Sequence, residues 1–259
     1  MDKPSITIGY SSLSNRVIDI LLPLQRHGTE VLIAVQGGFV EPIDREDVRM
    51  IYLDNFGAAK SRNKILEEAL GEIIFFGDDD MRWNESGLTR TIAYFQQNQD
   101  IDLVLCQSEN EHGELRKRYF KKQTQLSKYN SAKSATYEMA IRLSSFKQKK
   151  INFHEDFGAG TSNFLGDEFI FISEACRVGL KCEFLPLTIA IHPDTSSGML
   201  YGTLEDTQAR SNAIRQVFGK FAMFARLGFV LRNPLRFKSF ELVFRFIFGW
   251  FPKATQRMD

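Results

Sequence analysis

Along its first hundred residues the chain alternates short apolar runs with amphipathic stretches. Ser5 to Tyr10 alternates in polarity, with Ile6 and Ile8 on one side, and predicts a first strand. Asn15 to His27 places Ile18, Leu21, Leu22 and Gln25 at helical spacing and predicts a helix capped by Gly28. Glu30 to Val35 and Arg49 to Leu53 are apolar runs of strand length. Lys60 to Leu70 predicts a helix closed by Gly71, and Glu72 to Phe76 a buried strand. Asn84 suits the N-cap of a helix running to about Gln97, and Asp102 to Cys106 reads as a further strand. Strands alternating with helices predict an α/β fold with a parallel sheet covered on both faces.

The pattern then blurs. From about His112 to Asn152 the chain is rich in Lys, Ser and Gln, and it reads as an insertion around a helix near Tyr137 to Ser144. Asp167 to Arg177 predicts a helix ended by Gly179, followed by a strand from Lys181 to Leu185 that Pro186 stops. Beyond residue 209 the character changes. Ile214, Val217, Phe218, Phe221, Phe224 and Ala225 share one helical face from Arg210 to Arg232, and Asn233-Pro234 breaks that helix. Leu235 to Phe251 is apolar almost all round, apart from a stripe of Lys238, Glu241 and Arg245. The expected organisation is therefore a body of residues 1–209 and an amphipathic helical tail of residues 210–259.

Charge sharpens that division. The whole chain of 259 residues carries a net +1, which argues against a dedicated nucleic-acid binder. Residues 1–209 hold 23 Lys and Arg against 30 Asp and Glu, whereas 210–259 hold 10 against Glu241 and Asp259 alone. Ten of the 23 Phe lie between 210 and 251. Basic residues mixed with aromatic bulk suit an in-plane helix on an anionic membrane surface. Three cysteines, Cys106, Cys176 and Cys182, form no metal-ligand spacing and no disulfide framework. They and the polar start MDKPSITIGY point to the cytoplasm, and the tail to the inner face of its membrane.

Candidate chemistry is concentrated in IIFFGDDDM, residues 73–81. In open α/β sheets ligands sit beyond the carboxyl ends of the strands. Asp78, Asp79 and Asp80 stand at that end of an apolar strand, where three adjacent carboxylates repel one another unless solvent or a cation relieves them. A hard divalent ion with oxygen ligands would do so and leave positions open for phosphate oxygens.

Two stretches resemble glycosyltransferase family 2. GAAKSRNKILEEALGEIIFFGDDDM matches its glycine, its Arg-Asn at the head of a helix and its DXD turn. FHEDFGAGTSNFLGDEFIFISEACRVGLKCEFLPLTIAIHP, residues 153–193, matches its "fG-x-G" turn, acidic pair and His-Pro step. The resemblance implies a GT-A fold, which is a Rossmann-like mixed sheet flanked by helices, and inverting transfer from a nucleotide-diphospho-sugar. UDP-sugar is the default donor, Mn2+ or Mg2+ the cofactor, and a glycan or lipid-linked molecule in cell-surface polysaccharide synthesis the acceptor. It also implies that Asp80 holds the metal, that Asp78 sits near the ribose or the metal, and that Asp79 either contributes or points away. Arg62 and Asn63 would hold the donor nucleotide or the acidic turn. His192 before Pro193 is a further candidate ligand, because imidazole suits Mn2+-type sites.

Inversion needs a base opposite the leaving group. In the family it lies in an acidic pair that usually reads Glu-Asp and here reads Asp167-Glu168. Aligned by position the base is Glu168, and Asp167 is the alternative. The nucleotide end also departs from the pattern. IGYSSLSNR and AVQGG stand where the family has Pro-Thr-Tyr-Asn and a terminal Asp, leaving Tyr10 or Ser11 to line the base pocket and Gln36 to hydrogen-bond the base. These departures keep open a catalytically degenerate scaffold acting as a membrane-associated interaction protein. A sugar nucleotidyltransferase is the other alternative, although SSLSNR offers Arg16 without a Gly-rich loop.

Overall fold

A computed structural model describes residues 4–193 and 201–251. Its strands are β1 Ile6–Leu13, β2 Thr29–Gln36, β3 Val48–Leu53, β4 Ile73–Asp78, β5 Arg82–Trp83, β6 Leu103–Glu109, β7 Thr124–Gln125, β8 Met139–Arg142 and β9 Cys182–Ile191. The helices are α1 Ala58–Glu68, α2 Glu85–Gln97, α3 Leu143–Lys149, α4 Asp167–Arg177, α5 Leu204–Phe218, α6 Ala222–Arg232 and α7 Phe240–Phe248. One sheet orders the strands β3-β2-β1-β4-β8-β6-β9-β5, with β7 also on β9.

Period-two alternation explains the layering. Val31, Ile33 and Val35 of β2 point with Ile8, Tyr10 and Phe75 into a core under Leu88 and Phe95 of α2. Leu32 and Ala34, with Ile74 and Phe76, point the other way, against Ile65 of α1 and Phe171 of α4. Both faces of the central strands are therefore dry, as their uninterrupted apolar runs require.

The sheet is mixed, as the family resemblance implies, and not parallel throughout as the alternation of strands and helices alone suggests. β3, β2, β1 and β4 are parallel, but β8 runs antiparallel between β4 and β6. The helix expected near Tyr137 to Ser144 is in fact a 3-10 turn (Thr136–Glu138), then β8, then α3. Met139, Ala140, Ile141 and Arg142 are all buried, so no alternation betrays the strand. Pro186 does not end β9. It lies exposed where the β6–β9 register shifts between Leu105 and Gln107, a bulge that needs no donor from it.

Asn15 to His27 forms no α-helix. A 3-10 turn covers Ser14–Asp19, and the rest is irregular, leaving Ile18, Leu21 and Leu24 exposed. Pro23 would break a helix there. The carbonyls of Leu21 and Pro23 instead accept from the Tyr10 hydroxyl (3.4 Å) and Arg45 Nη1 (2.9 Å), and Leu24 N–H donates to Glu85 (2.9 Å).

In the tail, the single helix expected over Arg210 to Arg232 is two. Gly219 adopts φ +52° and a 3-10 turn (Gly219–Phe221) separates α5 from α6. The expected common face is split: Ile214 is buried, whereas Phe221 and Phe224 are exposed. α5 begins at Leu204 and crosses the expected boundary at residue 209, packing Ala213 on Phe157 and Ile170. Asn233-Pro234 ends α6 as expected. Residues 252–259 of the expected tail lie outside the described residues. Among the described residues no helix is long and apolar enough to cross a membrane.

Candidate active site

The site forms where three helix or strand ends meet at the carboxyl edge of the sheet. β4 delivers Asp78, Asp79 and Asp80; α1 contributes Arg62 from its second turn; and α4 opens with Asp167 and Glu168. The Phe157–Asn163 loop closes over the start of α1, where Ala58 N–H donates to the Ala159 carbonyl (3.0 Å). Gly158 sits at φ +95°, and a Cβ there would lie 2.9 Å from the Asp167 carboxyl carbon. Gly166, at φ +96°, is the N-cap of α4, and a Cβ there would meet Ala213 of α5 at 2.7 Å. Glycine is required at both positions by conformation and by space.

Arg62 is the hub. Its buried guanidinium pairs with Asp167 through Nη1 and with Asp78 through Nη2 (3.3 Å), and lies 3.9 Å from Glu168. It also lies 5.7 Å from the centroid of the Phe153 ring. A planar fork that stays charged suits such a junction better than lysine would. Burial, with the neighbouring Glu168 charge, pushes the Asp167 carboxyl up to about 7. Burial acts on Glu168 too, but Arg62, the Thr136 hydroxyl (2.7 Å) and the backbone outweigh it and hold this carboxyl below its ordinary value. The two acids are thereby separated in role: the site favours the ionised form of Glu168 and the protonated form of Asp167.

The three aspartates diverge. Burial raises Asp78 above the usual range despite Arg62. Asp79 is buried, accepts from the Ser12 hydroxyl (2.9 Å) and pairs with Arg16 (2.6 Å), so its carboxylate is engaged by these two partners. Asp80 is exposed, with His192 Nε2 at 3.2 Å and Arg16 at 3.8 Å. His192 is buried against the Tyr137 ring at 4.6 Å, and its Nδ1 faces the Pro193 carbonyl at 2.8 Å. That second contact fixes the ring so that Nε2 is presented to Asp80, the arrangement usual for a metal-ligating histidine.

Three residues expected to meet the nucleotide are occupied elsewhere. Tyr10 is fully buried, its hydroxyl accepting from Trp83 Nε1 (2.7 Å) and donating to Leu21, so it is a core residue and lines no base pocket. The buried Gln36 spends its amide nitrogen on the carbonyls of Asn55 (2.8 Å) and Gly57 (3.3 Å), where it steadies the start of α1. Asn63 clamps the Phe153 backbone, accepting from its N–H (2.7 Å) and donating to its carbonyl (3.0 Å). Ser11, the alternative to Tyr10, is in register with Asp78, and its buried hydroxyl has no hydrogen-bond partner among the described residues. Arg16, Ser12 and Thr136 contact the candidate site residues Asp79, Asp80 and Glu168, and the sequence signals them weakly. Arg16 is a lone cation after the first strand, and Thr136 lies in the stretch that reads as an insertion.

Among the described residues no group of three or more His, Cys, Asp or Glu side chains converges as a ready cation site. Asp80 and His192 nonetheless fit a divalent ion as a pair, because an exposed carboxylate oxygen faces a pre-oriented imidazole nitrogen. A pair of protein ligands is sparse for Mn2+ or Mg2+, and such ions commonly complete their shell with substrate phosphate oxygens and water.

Comparison with known proteins adds family and fold. The sequence profile described as glycosyl transferase family 2 matches residues 33–163, half of the chain. No curated protein matches the chain in sequence. Among solved structures, S. aureus TarS 1-349 in complex with UDP-GlcNAc superposes with a TM-score of 0.60 at 14% identity, covering 83% of this chain and 67% of that one. For TarS without that truncation the aligned share is 44% of its length. The mannosyltransferase PcManGT from Pyrobaculum calidifontis, in complex with GDP-Man and Mn2+, gives a TM-score of 0.55 at 14% identity, covering 85% of this chain and 64% of that one. At such identity the likeness is one of fold, and that fold is the GT-A arrangement of mixed sheet and flanking helices. Profile and fold agree: the chain is a glycosyltransferase and belongs to glycosyl transferase family 2.

Proposed function

We propose that this chain catalyses metal-dependent, inverting transfer of a sugar from a nucleotide-diphospho-sugar to a hydroxyl of a glycan or lipid-linked acceptor. The reading extends to cell-surface polysaccharide synthesis on the cytoplasmic side of the membrane. The observation that carries it is the Arg62 junction, which ties the acidic turn to the acidic pair and so sets differently poised carboxylates around one guanidinium.

Asp80 and His192 would hold the cation, which when bound supplies positive charge against the leaving diphosphate. Asp78, held by Arg62, is left to face the donor. Arg16, anchored by Asp79, brings a second positive charge to the same edge. Glu168 acts as the base: it is ionised, its side chain is more open than that of Asp167, and the Thr136 hydroxyl orients it. Asp167 positions Arg62. The nucleotide-sugars named for TarS and the mannosyltransferase differ in their base, so they support a nucleotide-sugar without choosing one, and UDP stays the default.

Calorimetric titration of UDP-, GDP- and dTDP-sugars with and without Mn2+ tests this directly. One nucleotide should bind only with Mn2+ and lose that binding in Asp80→Asn. Folded protein that binds none of them, or binds one equally in Asp80→Asn, would overturn the metal assignment.

A further inference from the structure

Internal packing accounts for only part of the aromatic tail. Phe246 is fully buried against Phe229 (5.3 Å between centroids) and Phe237 (5.1 Å), and Ile214 and Ala222 complete that small core. Among the described residues the opposite face of α7 has no such cover. Phe240, Phe244 and Phe248 recur every fourth residue on it, and Phe240 is 94% exposed. Phe244, Phe248 and Trp250 touch one another at 4.4–5.6 Å between centroids, so the exposed rings form one cluster. α6 repeats the design: Met223, Phe224, Leu227 and Leu231 are exposed and fall within one helical face. Leu235, between the two helices, is 99% exposed.

Cations accompany these stripes. Between residues 210 and 251 there are eight Lys and Arg and a single acid, Glu241, which Arg245 neutralises at 2.8 Å. Lys220, Arg232 and Lys238 are exposed. On the body, Lys128 lies 5.3 Å from the ring centres of exposed Tyr129 and of half-buried Phe218 at the end of α5.

We propose that α6 and α7 seat this protein on an anionic lipid surface, with the Phe224, Leu231, Phe240 and Phe244 side chains at the headgroup–acyl boundary and Lys220, Arg232 and Lys238 against the headgroups. An apolar stripe rimmed by basic residues on short helices is the pattern that lies in the interface plane. The charge argues against a second copy as occupant. A two-fold interface would set this cationic surface against itself, whereas an anionic leaflet complements it. Contiguous exposed aromatics of this kind are otherwise a liability in a free monomer.

The test is flotation of the full chain with phosphatidylcholine vesicles and with vesicles containing about one third phosphatidylglycerol. The protein should float with the anionic vesicles and at least about tenfold less with the neutral ones. Phe240→Ser/Phe244→Ser should lower anionic partitioning by about tenfold or more. Lys220→Glu/Arg232→Glu/Lys238→Glu should abolish the preference for anionic lipid. Single Phe240→Ser, at the most exposed ring, gives the same readout if the double variant misfolds by circular dichroism. Failure of the wild type to float, or equal flotation of folded aromatic variants, would overturn the proposal. So would a dimer in sedimentation that the aromatic substitutions abolish while vesicles go unbound, which would assign the surface to a second copy. The proposal stands apart from the transfer reaction, because nucleotide-sugar titration of the same variants reports on the cleft separately.

Discussion

Arg62 faces three carboxylates with one guanidinium; burial and the Glu168 charge raise Asp167 against it, whereas Arg62, the Thr136 hydroxyl and the backbone hold Glu168 down. If Glu168 is the base, Glu168→Gln should lower kcat by about 10²–10⁴-fold and leave donor affinity unchanged, measured by turnover and calorimetry together. A drop confined to donor affinity would move the base elsewhere. Asp167 makes a different, pH-dependent contribution. Its folded value, raised by burial from 3.8 to about 7, means that the folded chain keeps a proton the unfolded chain has released. The resulting stability is fully present below the unfolded value and is lost as pH rises through the folded one. Thermal melts from about pH 4 to 8 should therefore show the wild type losing Tm relative to Asp167→Asn as pH rises, at roughly 2–4 °C per kcal/mol. Parallel curves would mean that Asp167 is ionised throughout.

At the level of elements, the loop before α4 depends on positions where a side chain has no room. Gly158→Ala should cost about 1–3 kcal/mol in denaturant unfolding, since it forces a left-handed backbone and presses on Asp167. Its kcat should fall further than its donor affinity, because the displaced group belongs to the acidic pair. Elements with a strong local signal were readable in advance. β2 and β4 announce themselves as dry apolar runs, α2 by the Asn84 cap, and α4 by an acidic first turn whose predicted bounds match the structure. β8 was not readable, because four buried residues in a polar neighbourhood show neither period. The segment after β1 misled because a helical spacing of apolar residues says nothing of where they are buried, and Pro23 was the better witness. Within the candidate site, family motifs pointed to Arg62, Asp80, Asp167, Glu168 and His192, and the fold sets Arg62 beside Asp167 and Glu168, and His192 beside Asp80. They assigned Tyr10, Gln36 and Asn63 to the nucleotide because motif position cannot reveal that a side chain is turned inward or spent on a backbone.

On the scale of the whole molecule, body and tail are not independent. Ala213 of α5 abuts Gly166, immediately before Asp167 and Glu168. Ala213→Leu should accordingly lower turnover while sparing Mn2+-dependent donor binding, and equal turnover would show that α4 tolerates the shift. For the same reason point substitutions on the exposed faces of α6 and α7 probe the surface more cleanly than removal of residues 210–259, which would uncover the start of α4. The chain has two tryptophans, and the fold sets them in contrasting surroundings. Trp83 is 6% exposed, three residues past Asp80, whereas Trp250 is 64% exposed within the outward aromatic cluster. The protein thus carries two built-in optical reporters: a blue, quencher-protected emission beside the acidic turn, and a red, quencher-accessible emission on the tail. Donor titration should perturb the first and vesicle addition shift the second to the blue, so one fluorescence spectrum can follow both events without a label.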